Sequence, residues 1–140
     1  MRSTVVMVAL LGVAIYSAFA AGAPGPPVIR ESFTVLACPA HPVSTLDLEG
    51  CAEQALLRSD RMINARARKI FGFLRPNAAR DAFVRGEQSW LEYRQSSCAA
   101  ESSKYPGGSL ESVAFARCEH SRNRAHLSEL GELERTLTQR

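Results

Sequence analysis

The chain has 140 residues, with 17 Lys and Arg against 14 Asp and Glu, giving a formal net charge of +3. This length suits one domain and leaves little room for two. Most of the basic residues are arginines spread among acidic residues, which is typical of solvated helix faces. Nucleic acid is therefore not expected as a partner, because counterion release needs a clustered basic face.

Residues 1–20 are typical of a secretion signal. Arg2 supplies one positive charge, residues 4–19 carry none and are mostly apolar, and Ala18-Phe19-Ala20 has the small-x-small pattern that signal peptidase accepts. The apolar run of about 16 residues is shorter than the roughly 20 that a spanning helix needs. We therefore expect cleavage after Ala20, no retained membrane span, and a mature protein that is periplasmic or secreted.

Residues 21–37 follow as a predicted flexible leader, since Gly and Pro dominate their first part. The segment from Val35 to Cys38 loosely resembles a lipid-attachment site, but it lies too far beyond the apolar run for the processing enzyme. Residues 38–137 are predicted to form the folded domain. Pro39 and Pro42 exclude regular helix from its first residues.

The first predicted helix begins at Ser44 or Thr45 and ends near Leu74. Ser44 is a suitable N-cap, and Asp47 places a carboxylate near the free amides of the first turn. An imperfect apolar stripe of helical period predicts the buried face. Its members are Leu48, Cys51, Ala55, Met62, either Ala65 or Arg66, and Phe73, with Leu57 and Ile70 beside them.

Two further helices are predicted. The second spans about 78–102, with Phe83, Trp90 and Tyr93 on its buried side and a close helix crossing at Gly86. After a turn at 106–109, the third spans about 110–137 and is expected to break at most once. Its apolar residues are Val113, Ala116, Leu127, Leu130, Leu133 and Leu137. Strand signals are weak throughout, so the predicted fold is all-α, a small bundle of about three helices.

Four cysteines remain after signal cleavage, and an exported chain is expected to pair them as two disulfides. Three connectivities are possible. Cys38–Cys51 with Cys98–Cys118 is favoured, because each pair closes a short loop at the end of a helix. On the chain-entropy model each bridge adds roughly 3 kcal/mol to stability.

Three blocks of residues, in order over 38–130, resemble the LprI-like family, which is named for a bacterial lysozyme inhibitor. The most specific block is Trp90-Leu91-Glu92-Tyr93-Arg94 followed by Cys98. An earlier block contains Cys38, Thr45, Cys51, Asp60 and Asn64, and a later one contains Tyr105, Gly107, Gly108, Ser109, Cys118, Ser121, Arg124 and Leu127.

The resemblance implies a helical domain without known catalytic residues or cofactor, and founding-type members inhibit animal-type lysozyme. Four residues depart from the family pattern. Gln95 stands where Asp is usual, Gly86-Glu87 replaces a common Ala-Gln, and Ala67 replaces an aromatic residue. These departures call into question a polar network around Arg94, but not the fold.

The chain's candidate chemistry favours structural roles. His41 and His120 lie near cysteines, but no CxxC spacing occurs, so no metal site is predicted. Ser109 is interpreted as a helix cap rather than a nucleophile, since no base is placed beside it. Trp90 is expected to be a core anchor. Arg94 and Arg124 are expected to meet in a polar cluster through Asp60 or Asn64, and no enzymatic activity or cofactor is predicted.

The exposed loop 103–109, with Lys104 and Tyr105, is the predicted partner contact. Two functions compete. The first is an exported protein that binds lysozyme and obstructs its cleft, where Lys104 would face two carboxylates. The alternative is a non-inhibitory envelope domain that binds another protein or a cell-wall component. The near-neutral charge favours the alternative slightly, because lysozymes are basic, although Asp47, Glu49 and Glu53 could form an acidic patch.

Overall fold

A computed structural model describes residues 25–139, so the predicted signal peptide lies outside the described residues. Three helices follow in chain order, α1 (Thr45–Phe73), α2 (Asn77–Ser102) and α3 (Ser109–Thr138). Between residues 25 and 139 there is no strand, and the all-α prediction is confirmed. α1 and α2 each pack mainly against α3. No helix of this part of the chain combines the length and apolarity needed to cross a membrane.

The start of α1 is fixed by the predicted cap. Ser44 Oγ accepts a hydrogen bond from the Asp47 amide (3.1 Å), and Asp47 Oδ2 accepts one from the Ser44 amide (3.0 Å). This reciprocal capping box satisfies two of the amides that a helix start leaves free. A third amide, that of Val43, also donates to Asp47 Oδ2 (3.0 Å). The residues just before α1 are therefore held in one conformation.

The start of α3 differs from its prediction. Gly108, with φ of 117°, is the N-cap, and Ser109 is the first helical residue. Only glycine adopts that φ at little cost. Ser109 is therefore not the cap, and its hydroxyl instead donates to Thr45 Oγ1 of α1 (2.6 Å). α3 then continues to Thr138 without the break that the sequence allowed.

The apolar core consists of two clusters separated along the bundle. Ala52, Leu56 and Ala116 form the first, with Phe33 packed against it. The second contains Ile63, Ile70 and Leu130, with Phe83, Trp90, Leu127 and others around it. Buried polar residues of α1, α2 and α3 lie between these clusters.

The predicted buried face of α1 is wrong, because Met62 is 59% exposed and Phe73 is also exposed. The true face includes Glu53, Ser59 and Asp60, whose polarity hides its period in the sequence. On α2, Phe83 and Trp90 do pack on the core, but Tyr93 is exposed.

The close crossing predicted at Gly86 is also absent, since a Cβ there would meet nothing within 4 Å. The close approach occurs instead at Gly50, where a Cβ would lie 2.1 Å from the Ala37 carbonyl oxygen.

Residues 28–37, which we call the N-terminal strap, lie along the bundle and differ in this from the flexible leader that was predicted. Asn64 accepts from the Ile29 amide (2.7 Å) and donates to the Ile29 carbonyl (3.0 Å), as a strand neighbour would. Further along, the Leu36 amide donates to Glu53 and its carbonyl accepts from Gln54. The strap therefore pairs with three polar side chains of α1, those of Glu53, Gln54 and Asn64.

Candidate functional site

Both disulfides brace the same end of the bundle. Cys38–Cys51 joins the strap to the second turn of α1, and Cys98–Cys118 joins the last turns of α2 to α3. The Cα–Cα distances are 4.5 and 5.5 Å, and the favoured connectivity is confirmed. The cysteines that lie near His41 and His120 in the sequence have their sulfurs in these bridges, so neither cysteine offers a thiolate to a metal.

The loop between α2 and α3 is tied down at several points. Its Tyr105 amide donates to the Ser102 carbonyl (2.9 Å), and its Gly107 amide donates to Glu111 Oε2 (2.8 Å). Gly107 and Gly108 adopt positive φ, which explains the two glycines. The Ser109–Thr45 hydrogen bond then joins this loop to the start of α1. The two loop regions consequently form one surface, residues 43–46 with 104–110, which we call the tip.

Exposed apolar side chains concentrate at the tip. Val43 is 92% exposed, and Leu46 and Leu110 are exposed as well. These leucines directly follow Thr45 and Ser109, whose hydroxyl groups join the two halves of the tip. Tyr105 is also exposed, as the sequence predicted, and Lys104 beside it is exposed too. An exposed apolar group on a rigid surface commonly marks an interaction site.

A buried polar cluster surrounds Arg94 in the middle of the bundle. Its guanidinium bonds Glu31 of the strap (2.6 Å), Asp60 of α1 (2.8 Å) and Asn123 of α3 (2.9 Å). Arg94 Nε also lies 3.3 Å from Glu119 Oε1, but its N–H makes no hydrogen bond with it. Arg94 therefore links the strap to all three helices, and we call this group the Arg94 cluster.

The charges of the Arg94 cluster do not cancel, because three carboxylates face one guanidinium. Burial raises the pKa of Glu119 to about 7, against the opposing attraction of Arg94. Burial likewise raises the pKa of Asp60, although Arg94 and the Asn123 amide lower it in part. Asp60 Oδ2 and Glu119 Oε2 have no hydrogen-bond partner among residues 25–139. The cluster is thus prone to keep a proton near neutral pH.

A second polar group lies farther along α3. Both ring nitrogens of His126 are 3.1 Å from carboxylates, Nε2 from Glu87 and Nδ1 from Glu129. Burial alone would lower the pKa of His126, but the hydrogen bonds to Glu87 and Glu129 outweigh burial and raise it. Trp90 stacks on this ring with centroids 3.8 Å apart. Trp90 thus packs on an imidazole as well as on the core.

The predicted polar network exists, but its membership differs. Arg124 is exposed and joins neither Asp60 nor Asn64, and its neighbour Asn123 takes that place by bonding Asp60 (2.8 Å). Asn64 serves the strap instead. Glu31 and Glu119 were missed by the sequence reasoning. Their signal was present on α3, where the polar residues Glu119, Asn123 and His126 recur at spacings of four and three.

No arrangement for nucleophilic catalysis is assembled around the described serines and histidines. Ser59 lies 3.2 Å from His120 Nδ1, but it is buried and its hydroxyl donates to the Leu56 carbonyl (2.7 Å). The hydroxyl of Ser109 is likewise engaged with Thr45. Residues 25–139 contain no group of three or more side chains able to hold a metal ion. The feature that stands out on the described surface is the tip, with its exposed apolar side chains beside two disulfides.

Comparison with known families gives one match. The model of the family described as lysozyme inhibitor LprI matches residues 38–130, which is more than half of the chain. The matched region contains both disulfides, the tip and most of the Arg94 cluster. No curated protein and no solved structure matches significantly.

Proposed function

Because this chain belongs to the lysozyme inhibitor LprI family, we propose that it binds a lysozyme-type glycosidase and blocks the catalytic cleft with its tip. The single observation that carries the tip assignment is the collection of exposed apolar residues around Lys104 on a surface braced by both disulfides.

The bracing matters for affinity. A loop that must become ordered on binding loses conformational entropy, and that loss weakens the complex. Here Cys98–Cys118 closes the base of the α2–α3 loop, and the Ser109–Thr45 hydrogen bond fixes its far side. A tip that is already ordered can enter a concave cleft at lower cost.

The chemistry of the tip also suits such a cleft. Glycosidases of this type carry two catalytic carboxylates. Lys104 has no ion-pair partner within 4 Å in the described part of the chain, so its ammonium is available to those carboxylates. Tyr105 and Leu110 would supply the apolar anchors that usually dominate binding energy.

Charge steering contributes little to this proposal. Asp47 is engaged in the α1 cap and Glu53 is buried against the strap, so the acidic patch considered from the sequence is not available as a whole. A mildly basic domain would approach a basic lysozyme without long-range attraction. Contact at the tip must then supply the affinity.

The test uses the exported protein with both disulfides formed, titrated in a cell-wall lysis assay. Replacing Lys104 and Tyr105 together with Ala should weaken inhibition by about 30-fold or more, as expected for two hot-spot side chains. Arg68→Ala is the matched control, since Arg68 is exposed near the far end of α1. It should inhibit like the unmodified protein.

Two outcomes would contradict the proposal. Undiminished inhibition by the folded Lys104→Ala/Tyr105→Ala variant would exclude the tip as the contact surface. No inhibition and no complex with the unmodified protein would exclude lysozyme, and would favour the alternative of a non-inhibitory envelope domain.

A further inference from the structure

A pocket beside the tip has a composition that lysozyme binding does not explain. It has a volume of about 550 Å³ and lies between the last turn of α2, the loop and the first turns of α3. This volume is within the range of small-molecule sites. We call it the side pocket. It shares Lys104, Tyr105 and Leu110 with the tip, and its remaining residues come from the flanks of α2 and α3.

The side pocket gathers basic groups that remain unpaired. Lys104, Arg117 and Arg122 line it, with Glu101 as the one acidic residue. Among residues 25–139, none of the three cations lies within 4 Å of a carboxylate. Arg122 is held by the Tyr93 ring, 5.5 Å from its centroid, which leaves the guanidinium N–H groups free. The pocket therefore has an excess of two positive charges if all four groups are ionised.

These cations differ from a solvated basic face because they line one concave site together with apolar side chains. Val113, which is fully buried, and Ala114 line the pocket with Leu110, and Tyr105 adds an aromatic face. A carboxylate ligand would neutralise only one charge, whereas a phosphate monoester carries up to two. Arginine binds phosphate with two parallel N–H donors, a geometry that fixes the ligand's orientation.

We propose that the side pocket binds a phosphorylated carbohydrate. Lys104, Arg117 and Arg122 would hold the phosphate, and the C–H face of the sugar would pack against Tyr105 and Leu110. Lys104, Tyr105 and Leu110 belong to both surfaces, but Arg117 and Arg122 lie outside the tip, so variants of these two arginines test the side pocket separately from lysozyme inhibition.

Isothermal titration calorimetry of the oxidised protein with glucose 1-phosphate tests this, with inorganic phosphate and glucose as separate titrants. Glucose 1-phosphate should bind more tightly than inorganic phosphate, glucose should not bind measurably, and the affinity should fall with added salt. Arg117→Gln should weaken binding about tenfold, and the double variant Arg117→Gln/Arg122→Gln should abolish it. Arg68→Gln should leave it unchanged.

Arg117 is exposed on α3, so its replacement is not expected to disturb folding, and circular dichroism verifies this. No binding of glucose 1-phosphate to the unmodified protein would overturn the proposal. Equal affinity for inorganic phosphate and glucose 1-phosphate would contradict the proposed contact with the sugar. If Arg117→Gln loses affinity for glucose 1-phosphate but still inhibits lysozyme, the side pocket and the tip are separate binding sites.

Discussion

The tip and the Arg94 cluster are both rigid, but for opposite reasons. At the tip, exposed side chains are held in place by two disulfides, a capping box and a hydroxyl pair. In the Arg94 cluster, the fixed groups are themselves buried and charged. One region uses covalent closure to leave its side chains free, whereas the charged groups of the other bond mainly to one another.

This difference indicates that the Arg94 cluster and the disulfides have separate structural roles in a domain with a small core. Buried ion networks give uncertain net stability, because desolvation offsets the attraction between charges. The Arg94 cluster does, however, join the strap and three helices through one side chain. We infer that it fixes where α2 sits on α3, while the disulfides fix the tip, the surface that we propose as the partner contact.

The largest expected effect is at the Arg94 cluster. Arg94→Met would leave Glu31, Asp60 and Glu119 facing one another without a cation, since all three are within 3.3 Å of its guanidinium. Removing one partner of a buried ion pair typically costs about 3–5 kcal/mol, a large share of the roughly 5–15 kcal/mol by which a domain is stable. Urea unfolding of the oxidised protein should show a loss of about that size.

Arg124→Met is the matched control for this change. Arg124 matches the same family motif, but its side chain is exposed. We expect its free energy of unfolding to change by no more than about 0.5 kcal/mol. Similar losses at Arg94 and Arg124 would contradict the central role of the Arg94 cluster.

Two glycine substitutions test how tightly the Cys38–Cys51 disulfide holds the end of the strap against α1. Gly50 precedes Cys51, and a Cβ there would overlap the backbone oxygen of Ala37, which the neighbouring disulfide holds in place. Gly50→Ala should therefore lower the free energy of unfolding by about 2 kcal/mol. Gly86→Ala, in open space on α2, should raise it by about 1 kcal/mol, the usual helical preference of Ala over Gly. Equal effects in thermal unfolding would show that the strap can move away.

The sequence predicted those features that depend on local chemistry. The start of α1 followed from Ser44 and Asp47, and the disulfide pairing from short loops at helix ends. The exposure of Lys104 and Tyr105 followed from the Pro-Gly-Gly turn beside them. Each of these conclusions needed only neighbours in the chain.

The sequence did not predict features that depend on pairing between distant polar groups. Glu53 was not expected inside, because an isolated carboxylate is rarely buried, and Asp60 was expected only as one of two possible members of a polar cluster. Their partners lie on the strap, on α2 and on α3, so the buried face of α1 looked polar and the apolar stripe was placed on the wrong side. The family motif led to Arg124, whereas the register of α3 turns its neighbour Asn123 inward, and this register could not be predicted from the sequence.

The last expected effect separates the two regions by pH. Because the pKa of Glu119 rises from 4.5 to about 7 on folding, the folded protein keeps a proton that the unfolded chain has released. Its contribution to stability is therefore complete below about pH 4.5 and is lost as the pH rises to about 7 and above. The raised pKa of His126 acts in the same direction, since its stabilisation is present below 6.5 and lost as the pH rises through the folded pKa.

The free energy of unfolding should thus fall by about 2 kcal/mol between pH 5 and pH 8, a figure that allows for solvent screening. Glu119→Gln has no such proton to lose, so its profile should be flatter, and the pH dependence that remains should come from His126 and Asp60, whose pKa values are also raised. Lysozyme inhibition, which we assign to the tip, should not change with this substitution. An unchanged pH profile in Glu119→Gln would mean that Glu119 is already ionised inside the Arg94 cluster, and the excess of carboxylates there would then be held by Arg94 alone.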